Sequence, residues 1–414
     1  MNSLRRLPIS IFCFLVSAFC LSASTPPKDR IVILVSLDAF RWDYLDKFKP
    51  PNLTRLATEG VRAERLIPMF PSMTFPNHQT IATGLRPAHH GIIHNDMYDP
   101  NMKERFGISS PATTNGAWWG GEPIWVTAVK QGRIANAWLW PGVGAPMSGM
   151  RATEWKTYDS HVDANQEVDT ALSWLERPQD KRPNLLVLYF HQVDTESHRT
   201  GTESPEVAGA VRELDDAMGR LTEGIHRLKL DDLANLVIVS DHGMANISTN
   251  RLVVLEEYVP ADKAQVDFTG AIGGLRPSDG DVDALYAKFS GKENHFHVYR
   301  KENMPERFHY VGNPRIPLVL IVPEEGWYVT KRSRADQSSR AMNKATHGWD
   351  PNGPLMGATF IAWGPAFQQH KTIKPFENVH IYNLLCATTG LKPAPNDGDD
   401  RLLTEVLGEP ASPK

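Results

Sequence analysis

Seven residues of this chain are of types that do metal-assisted chemistry, and the aspartates among them each follow an apolar, strand-like run. Ile31-Val32-Ile33-Leu34-Val35-Ser36-Leu37 ends in Asp38. Leu185-Leu186-Val187-Leu188-Tyr189-Phe190 leads to Asp194, with His198 four residues later. Leu236-Val237-Ile238-Val239-Ser240 ends in Asp241-His242-Gly243, and His347 stands far downstream between Thr346 and Gly348. Three carboxylates and three imidazoles suit two borderline-hard divalent ions such as zinc. The seventh residue is the hydroxyl of Thr74, in Pro71-Ser72-Met73-Thr74-Phe75-Pro76-Asn77-His78. Two metal ions facing one hydroxyl nucleophile make a phosphoryl-transfer site.

Taken singly, each signal has an ordinary structural explanation. An Asp at a strand end forms turns, and a Thr at a helix start is an N-cap. Their joint occurrence carries the functional reading. Gly243 would permit an unusual backbone that turns Asp241 and His242 inward together. A divalent ion beside Thr74 would lower its hydroxyl pKa, and a helix N-terminus there would favour a phosphate's charge. Ser72 is the competing hydroxyl, with nothing around it to mark it. His78, His89, His90 and His94 are read as structural residues or as supports for ligands, and His295 and His297 as surface residues of a lobe. The tryptophans Trp118, Trp119, Trp125, Trp138 and Trp140 are read as core, although they would also make a stacking surface for bases.

The elements that must position these residues alternate between strand and helix. Apolar spacings of three and four predict helices over 163–176 and 206–228, with shorter ones over 52–59 and 75–82. Later strands are expected over 317–322 and 358–363. Such alternation predicts an α/β fold with a mostly parallel central sheet flanked by helices. Sites in such sheets gather at the carboxyl ends of strands, where Asp38, Asp194 and Asp241 fall. The long stretch between His242 and His347 reads as a smaller inserted αβ lobe at about 255–345. Within it, 281–289 is expected helical and 295–299 extended. Residues 24–414 would then be one catalytic domain.

The chain has 414 residues and a formal net charge of −4. No basic run stands out, which argues against binding duplex nucleic acid. Residues 1–23 read as a secretory signal: Arg5 and Arg6, a short apolar stretch, then small residues. The apolar stretch is shorter than the roughly 20 residues a spanning helix needs. The expectation is therefore a secreted or periplasmic protein with no stable membrane anchor after cleavage. Cys13 and Cys20 lie in the signal, which leaves Cys386 alone and no internal disulfide possible.

The chain resembles the nucleotide pyrophosphatase/phosphodiesterases of the alkaline phosphatase superfamily from about residue 30 to 400. The resemblance rests on Thr74-Phe75-Pro76-Asn77-His78, Thr83-Gly84-Leu85, His90-Gly91-Ile92-Ile93-His94-Asn95, Met97-Tyr98-Asp99, Glu122-Pro123-Ile124-Trp125, Ser240-Asp241-His242-Gly243-Met244 and Gly364-Pro365-Ala366-Phe367. It implies an alkaline phosphatase-like fold and two zinc ions. One would be held by Asp38, Asp241 and His242 with Thr74 alongside, the other by Asp194, His198 and His347. It implies that Thr74 attacks phosphorus and forms a phospho-threonine, and that Asn95 hydrogen-bonds a phosphate oxygen. Phe75 and Tyr158 would sandwich a nucleobase, and Tyr189 would complete that pocket. The expected partners are small nucleotides, with no protein partner. ATP would be cleaved to AMP and pyrophosphate. The alternatives are a choline-phospholipid phosphodiesterase of the same family and a phosphomonoesterase, although no Arg stands beside Thr74 in sequence to hold a dianion.

Overall fold

The computed structural model describes residues 27–336 and 343–408. The expected signal segment, 1–23, lies outside the described residues. Along the chain the main sheet takes β1 (Ile31–Leu37), β2 (Val61–Ala63), β3 (Ala135–Trp138), β4 (Glu154–Lys156), β5 (Leu185–Phe190) and β6 (Ala234–Val239). Four strands of a second sheet follow: β7 (Ala264–Phe268), β8 (Gly273–Pro277), β9 (Phe296–Arg300) and β10 (Val319–Pro323). The chain then returns to the main sheet with β11 (Phe360–Trp363) and β12 (Lys371–Ile373). The main sheet has the order β12-β2-β11-β6-β1-β5-β3-β4.

Every neighbouring pair in that sheet is parallel except the two made by β11, which runs antiparallel to both β2 and β6. The mostly parallel sheet is therefore observed, with one reversed strand. The other late strand, expected over 317–322, belongs to the second sheet, where all pairs are antiparallel. A short apolar run declares a strand but neither its direction nor its sheet.

β1 is buried along its whole length. Its side chains alternate between the two faces, as strand periodicity requires. Val32 and Leu34 join one apolar core, and Ile31, Ile33, Val35 and Leu37 join the other. That is the pattern of a central strand covered on both faces by helices. On one face lie α1 (Pro51–Glu59), α3 (Ala164–Leu175) and α5 (Pro205–Arg227). Their buried residues include Leu53, Val168, Leu172, Val211, Leu214 and Met218. The helices start where sequence chemistry sets them. Asp163 caps α3 with a complete capping box, and Ser204 caps α5 just before Pro205. Asp215 of α5 reaches across to accept from the Asn52 and Leu53 backbone N–H groups, which satisfies the open end of α1.

The opposite face carries α2 (Thr74–Thr83) and a cluster of tryptophans. Trp118, Trp119, Trp125 and Trp140 are buried and form core, and Trp138 packs partly buried against that core. The second sheet has its own apolar cluster, with Leu275, Phe289, Phe296, Val319 and Ile321. Phe268, Leu320 and Val322 of this sheet, and Ile272 just before β8, join the main core. The helix expected over 281–289 is shorter, Val282–Ala287. His295 stands outside β9 with a left-handed backbone (φ 59°), so it does not share a strand face with His297. Among the described residues no helix is long and apolar enough to cross a membrane.

Candidate active site

Three adjacent parallel strands deliver the three aspartates to one edge of the sheet. β1 lies between β5 and β6, in registers that set Ser36 beside both Tyr189 and Val239. Asp38 is the first residue after β1 and Asp241 the second after β6. Asp194 sits in the first turn of α4 (Gln192–Thr200), which follows β5. His198 is one helical turn further along α4, with its Nε2 3.4 Å from Asp194 Oδ1. A two-residue antiparallel pairing of Ala245–Asn246 with Ala345–Thr346 brings back the downstream segment. It places His347 in the cluster, with its Nε2 3.7 Å from Asp194 Oδ1. Its ring stacks on His242 with centroids 3.6 Å apart.

The sequence reading gave Gly243 an unusual backbone angle. Its need is instead for space: a Cβ there would stand 2.0 Å from the Leu355 carbonyl oxygen. Gly243 is not among the residues of positive φ. The close approach of the 355–357 segment lets the Asp241-His242 pair turn into the site.

Thr74 is the first residue of α2. Its N-cap is Met73, which makes no side-chain cap. The ordinary capping explanation of Thr74 therefore fails. Its Oγ1 lies 3.2 Å from His242 Nε2. Ser72 donates its hydroxyl to the Trp349 carbonyl at 2.9 Å, which disposes of the competing nucleophile. Around Thr74, Asn95 Oδ1 accepts from the Phe75 backbone N–H at 2.9 Å. Oriented this way, the Asn95 amide keeps its NH2 donors for another partner.

His242 Nε2 is also 2.9 Å from Asp241 Oδ2 and 3.5 Å from Asp38 Oδ1. Two overlapping triads have ligand atoms within 4.8 Å of one another: Asp38, Asp241 and His242, and Asp194, His242 and His347. His242 enters both because its ring is stacked on His347. Its shorter distance to Asp241 and its contact with Thr74 favour placing it with Asp38 and Asp241. His198 lies against Asp194 as well, with its ring centroid 5.2 Å from that of His347.

Three observations fit these residues to bound cations. Asp38 Oδ1, Asp194 Oδ1 and Asp241 Oδ2 are buried without a hydrogen-bond partner, which is costly for anions unless something positive faces them. Each imidazole presents its Nδ1 to a backbone carbonyl: His242 to Gly243, His198 to Ala345 and His347 to Ser72. That fixes Nε2 as the inward atom, the usual way a ligating histidine is held. Finally, the charges crowd. Burial pushes the Asp38 carboxyl well up, and the neighbouring Asp241 and Asp194 carboxylates push the same way. Burial would raise Asp194 too, but His198 and the other imidazoles hold it at about 2. His198, for its part, is lifted to about 9 by Asp194 against its own burial. Burial and the neighbouring His242 lower His347 to about 3, so it is neutral and ready to ligate.

A cavity of about 480 Å3 opens from this cluster and is lined by Asp38, Thr74, Phe75, Tyr158, Tyr189 and Asp194 among others. Phe75, in the cavity wall, packs against Trp119 and Phe106. Tyr158 is half exposed and meets Tyr189 and His191 edge-on. Sequence reasoning overlooked His191 and Thr195, which also line the cavity. His191 Nδ1 and the Thr195 hydroxyl are 3.0 Å apart, and only their place at the start of α4 could have marked them. His78 proves to be a support: it contacts the Thr74 carbonyl, the Ser36 hydroxyl and Asp241. His297 lies on the exposed side of β9, away from the cluster.

A largely parallel sheet with carboxylates and imidazoles gathered over its carboxyl edge defines an alkaline phosphatase-like α/β protein. The family model for type I phosphodiesterase/nucleotide pyrophosphatase matches residues 32–350, and the chain belongs to that family of the alkaline phosphatase superfamily. It is 36% identical over 393 residues to the venom phosphodiesterase CdcPDE of Crotalus durissus collilineatus, covering 92% of this chain and 46% of the relative. It is 34% identical over 392 residues to ectonucleotide pyrophosphatase/phosphodiesterase family member 3 of Rattus norvegicus, covering 92% of this chain and 44% of that protein. The chain thus spans about half the length of the curated relatives it matches. Among solved structures, murine ectonucleotide pyrophosphatase/phosphodiesterase 5, an inactive threonine-to-alanine variant in complex with AMP, superposes with a TM-score of 0.86 at 30% identity. That match covers 92% of this chain and all of the murine one. The human counterpart gives a TM-score of 0.87.

Proposed function

We propose that the chain is a two-zinc nucleotide pyrophosphatase/phosphodiesterase that cleaves ATP to AMP and pyrophosphate through a phospho-threonine. The observation that carries this reading is the Thr74 hydroxyl. It stands free of any capping role, at the first residue of a helix, against a cluster with three unpartnered buried carboxylate oxygens. Asp38, Asp241 and His242 would hold one ion, and Asp194, His198 and His347 the other. When bound, the ions supply charge for the phosphate and leaving oxygens and lower the pKa of the attacking hydroxyl and, later, of water. Thr74 Oγ1 forms a bond to phosphorus as the bond to the leaving oxygen breaks. Water then cleaves the threonine–phosphate bond, which restores Thr74 and releases the nucleoside monophosphate. Asn95, anchored on the Phe75 N–H, offers its amide to a phosphate oxygen, and the N-terminal end of α2 favours the same charge.

Phe75 and Tyr158 line the cavity and support a nucleobase between aromatic faces, a contact that tolerates different bases. The relatives named as nucleotide pyrophosphatases, and the inactive threonine-to-alanine murine protein that holds AMP, support the same assignment. None of the described residues lining the cavity is Lys or Arg. That favours a diester or anhydride over a dianionic monoester. Residues 24–414 would form the catalytic unit, with a lobe at about 255–345, and a secreted or periplasmic location fits the leader.

The test is turnover of ATP by the purified mature chain, with products identified, before and after chelation and zinc replacement. AMP and pyrophosphate, lost on chelation and restored by zinc, are the expected result. ADP and orthophosphate would overturn the reading in favour of a phosphomonoesterase. Turnover of lysophosphatidylcholine without ATP would move it to the phospholipid diesters.

A further inference from the structure

Tyr189 is the penultimate residue of β5, and its ring and its hydroxyl face different tasks. The ring is one wall of the cavity. It is held edge-on by His78 at 5.0 Å and by Tyr158 at 6.0 Å, and the residue is 7% exposed. The hydroxyl donates to Asp38 Oδ2 at 2.5 Å. A phenol is protonated at neutral pH and has one proton to donate, and here a carboxylate takes it. The other oxygen of the same carboxylate, Asp38 Oδ1, is buried without a partner. It lies 3.5 Å from His242 Nε2.

The backbone of Tyr189 is held in an unusual way. The ladder between β5 and β3 stops at Leu188 and Trp138. There the next residue, Leu139, turns its N–H to the Lys156 carbonyl. The chain opens the cavity at that point, and Tyr189 has no neighbour on the β3 side, while Ser36 of β1 stays beside it. Its N–H is taken instead by Glu167 Oε1 of α3, at 2.7 Å. Glu167 is 1% exposed, in a helix face otherwise given to Val168, Ala171 and Leu172. A carboxyl in such a place is costly unless a specific bond needs it.

We infer that Tyr189 is a positioning residue for the metal site. Its phenol occupies Asp38 Oδ2 so that Oδ1 alone faces the ion, and Glu167 holds Tyr189 where β3 no longer does. The inference rests on the two-metal reading above and deepens it. A carboxylate can bind a metal through one oxygen or both, and an outer hydrogen bond that settles the choice tunes affinity tenfold to a hundredfold.

The test is zinc retention by the purified mature chain against graded chelators, with zinc counted per chain. Tyr189→Phe keeps the ring and removes only the hydroxyl. The expected result is that one of the two ions is lost about tenfold to a hundredfold more readily, while the other holds as in the wild type. Glu167→Leu should weaken the same ion by a smaller factor. Glu167→Gln, whose amide oxygen still accepts the Tyr189 N–H, should rescue it. Equal zinc retention in wild type and Tyr189→Phe would overturn the inference, whatever happens to nucleotide KM. Equal weakening of both ions would also overturn it, because Asp38 serves one of them. A wild-type chain that retains no zinc would instead sink the two-metal reading first, before any variant is compared.

Discussion

The two ends of the cavity are built by different physics. At the inner end, Asp38, Asp241 and His242 are almost wholly buried, and each is fixed through backbone or neighbouring side chains. Their positions follow from two adjacent strands of one sheet, β1 and β6. At the outer end, Phe75 is partly buried against tryptophan, and Tyr158 is 50% exposed with only edge contacts to hold it. The inner end is rigid and electrostatic, suited to a reaction with one geometry. The outer end is apolar and open, suited to planar groups that differ in detail. A site divided this way should lose catalysis when its inner end is changed and lose only affinity when its outer end is changed.

The largest expected effect is at Thr74. Thr74→Ala should lower kcat at least about a thousandfold, as removal of a nucleophile does, while zinc content and melting temperature stay near wild type. Loss of zinc in that variant would show the hydroxyl to be a structural ligand and would break the division. Next comes Asp241→Asn. Removing one charge from the buried cluster should cut zinc retention and kcat by about a hundredfold or more, judged against the tenfold to hundredfold cost of disturbing even an outer contact. Activity should return in part at high zinc. Nucleotide KM at saturating zinc should move far less than kcat.

At the outer end, Phe75→Ala should raise nucleotide KM by about tenfold, within the 1–3 kcal/mol that a base–aromatic stack contributes. Tyr158→Ala should raise it less, because that ring is half exposed. A kcat collapse in either variant would mean that the ends are coupled and not separable. A pH series sharpens the same contrast. In the metal-free chain His198 holds its proton up to about 9, so zinc uptake at neutral pH must displace that proton. Zinc affinity at that ion should therefore rise with pH, by about tenfold per unit at most below 9, and level off above it. Proton release measured during zinc titration checks the sign. The smallest effect is the control: His297→Ala, on the exposed side of β9, should change stability by less than about 0.5 kcal/mol and leave zinc content and KM alone.

Much of this was legible in the chain. The positions of Asp38 and Asp241 just past strand ends, and of Asp194 in the helix after one, follow from apolar runs that read as buried strands. The i,i+4 pair Asp194 and His198 became one turn of helix, as its spacing allows. Long helices declared themselves through apolar spacing; the caps at Asp163 and Ser204 were seen only in the structure. The failures share one cause. The run over 317–322 declared a strand but neither its sheet nor its direction, because hydrophobicity records burial and not pairing. The role of Gly243 was assigned to its own backbone angle, whereas the neighbouring 355–357 segment imposes it. Glu167 and His191 gave no signal at all, since a lone charged or polar residue in a helix or at its start has no period to betray a partner.

By itself, then, the sequence determined which residue types would be available and which strand ends would carry them. Local pattern and side-chain chemistry are written residue by residue. Tertiary structure alone decided that Thr74 is free of capping, that Ser72 is occupied by Trp349, and that His347 arrives from a distant segment to stack on His242. It alone gave Tyr189 a carboxylate to hold and Glu167 an N–H to accept. Such pairings join residues that are far apart along the chain, and their energies depend on burial and distance, quantities that exist only once the sheet has assembled and excluded water.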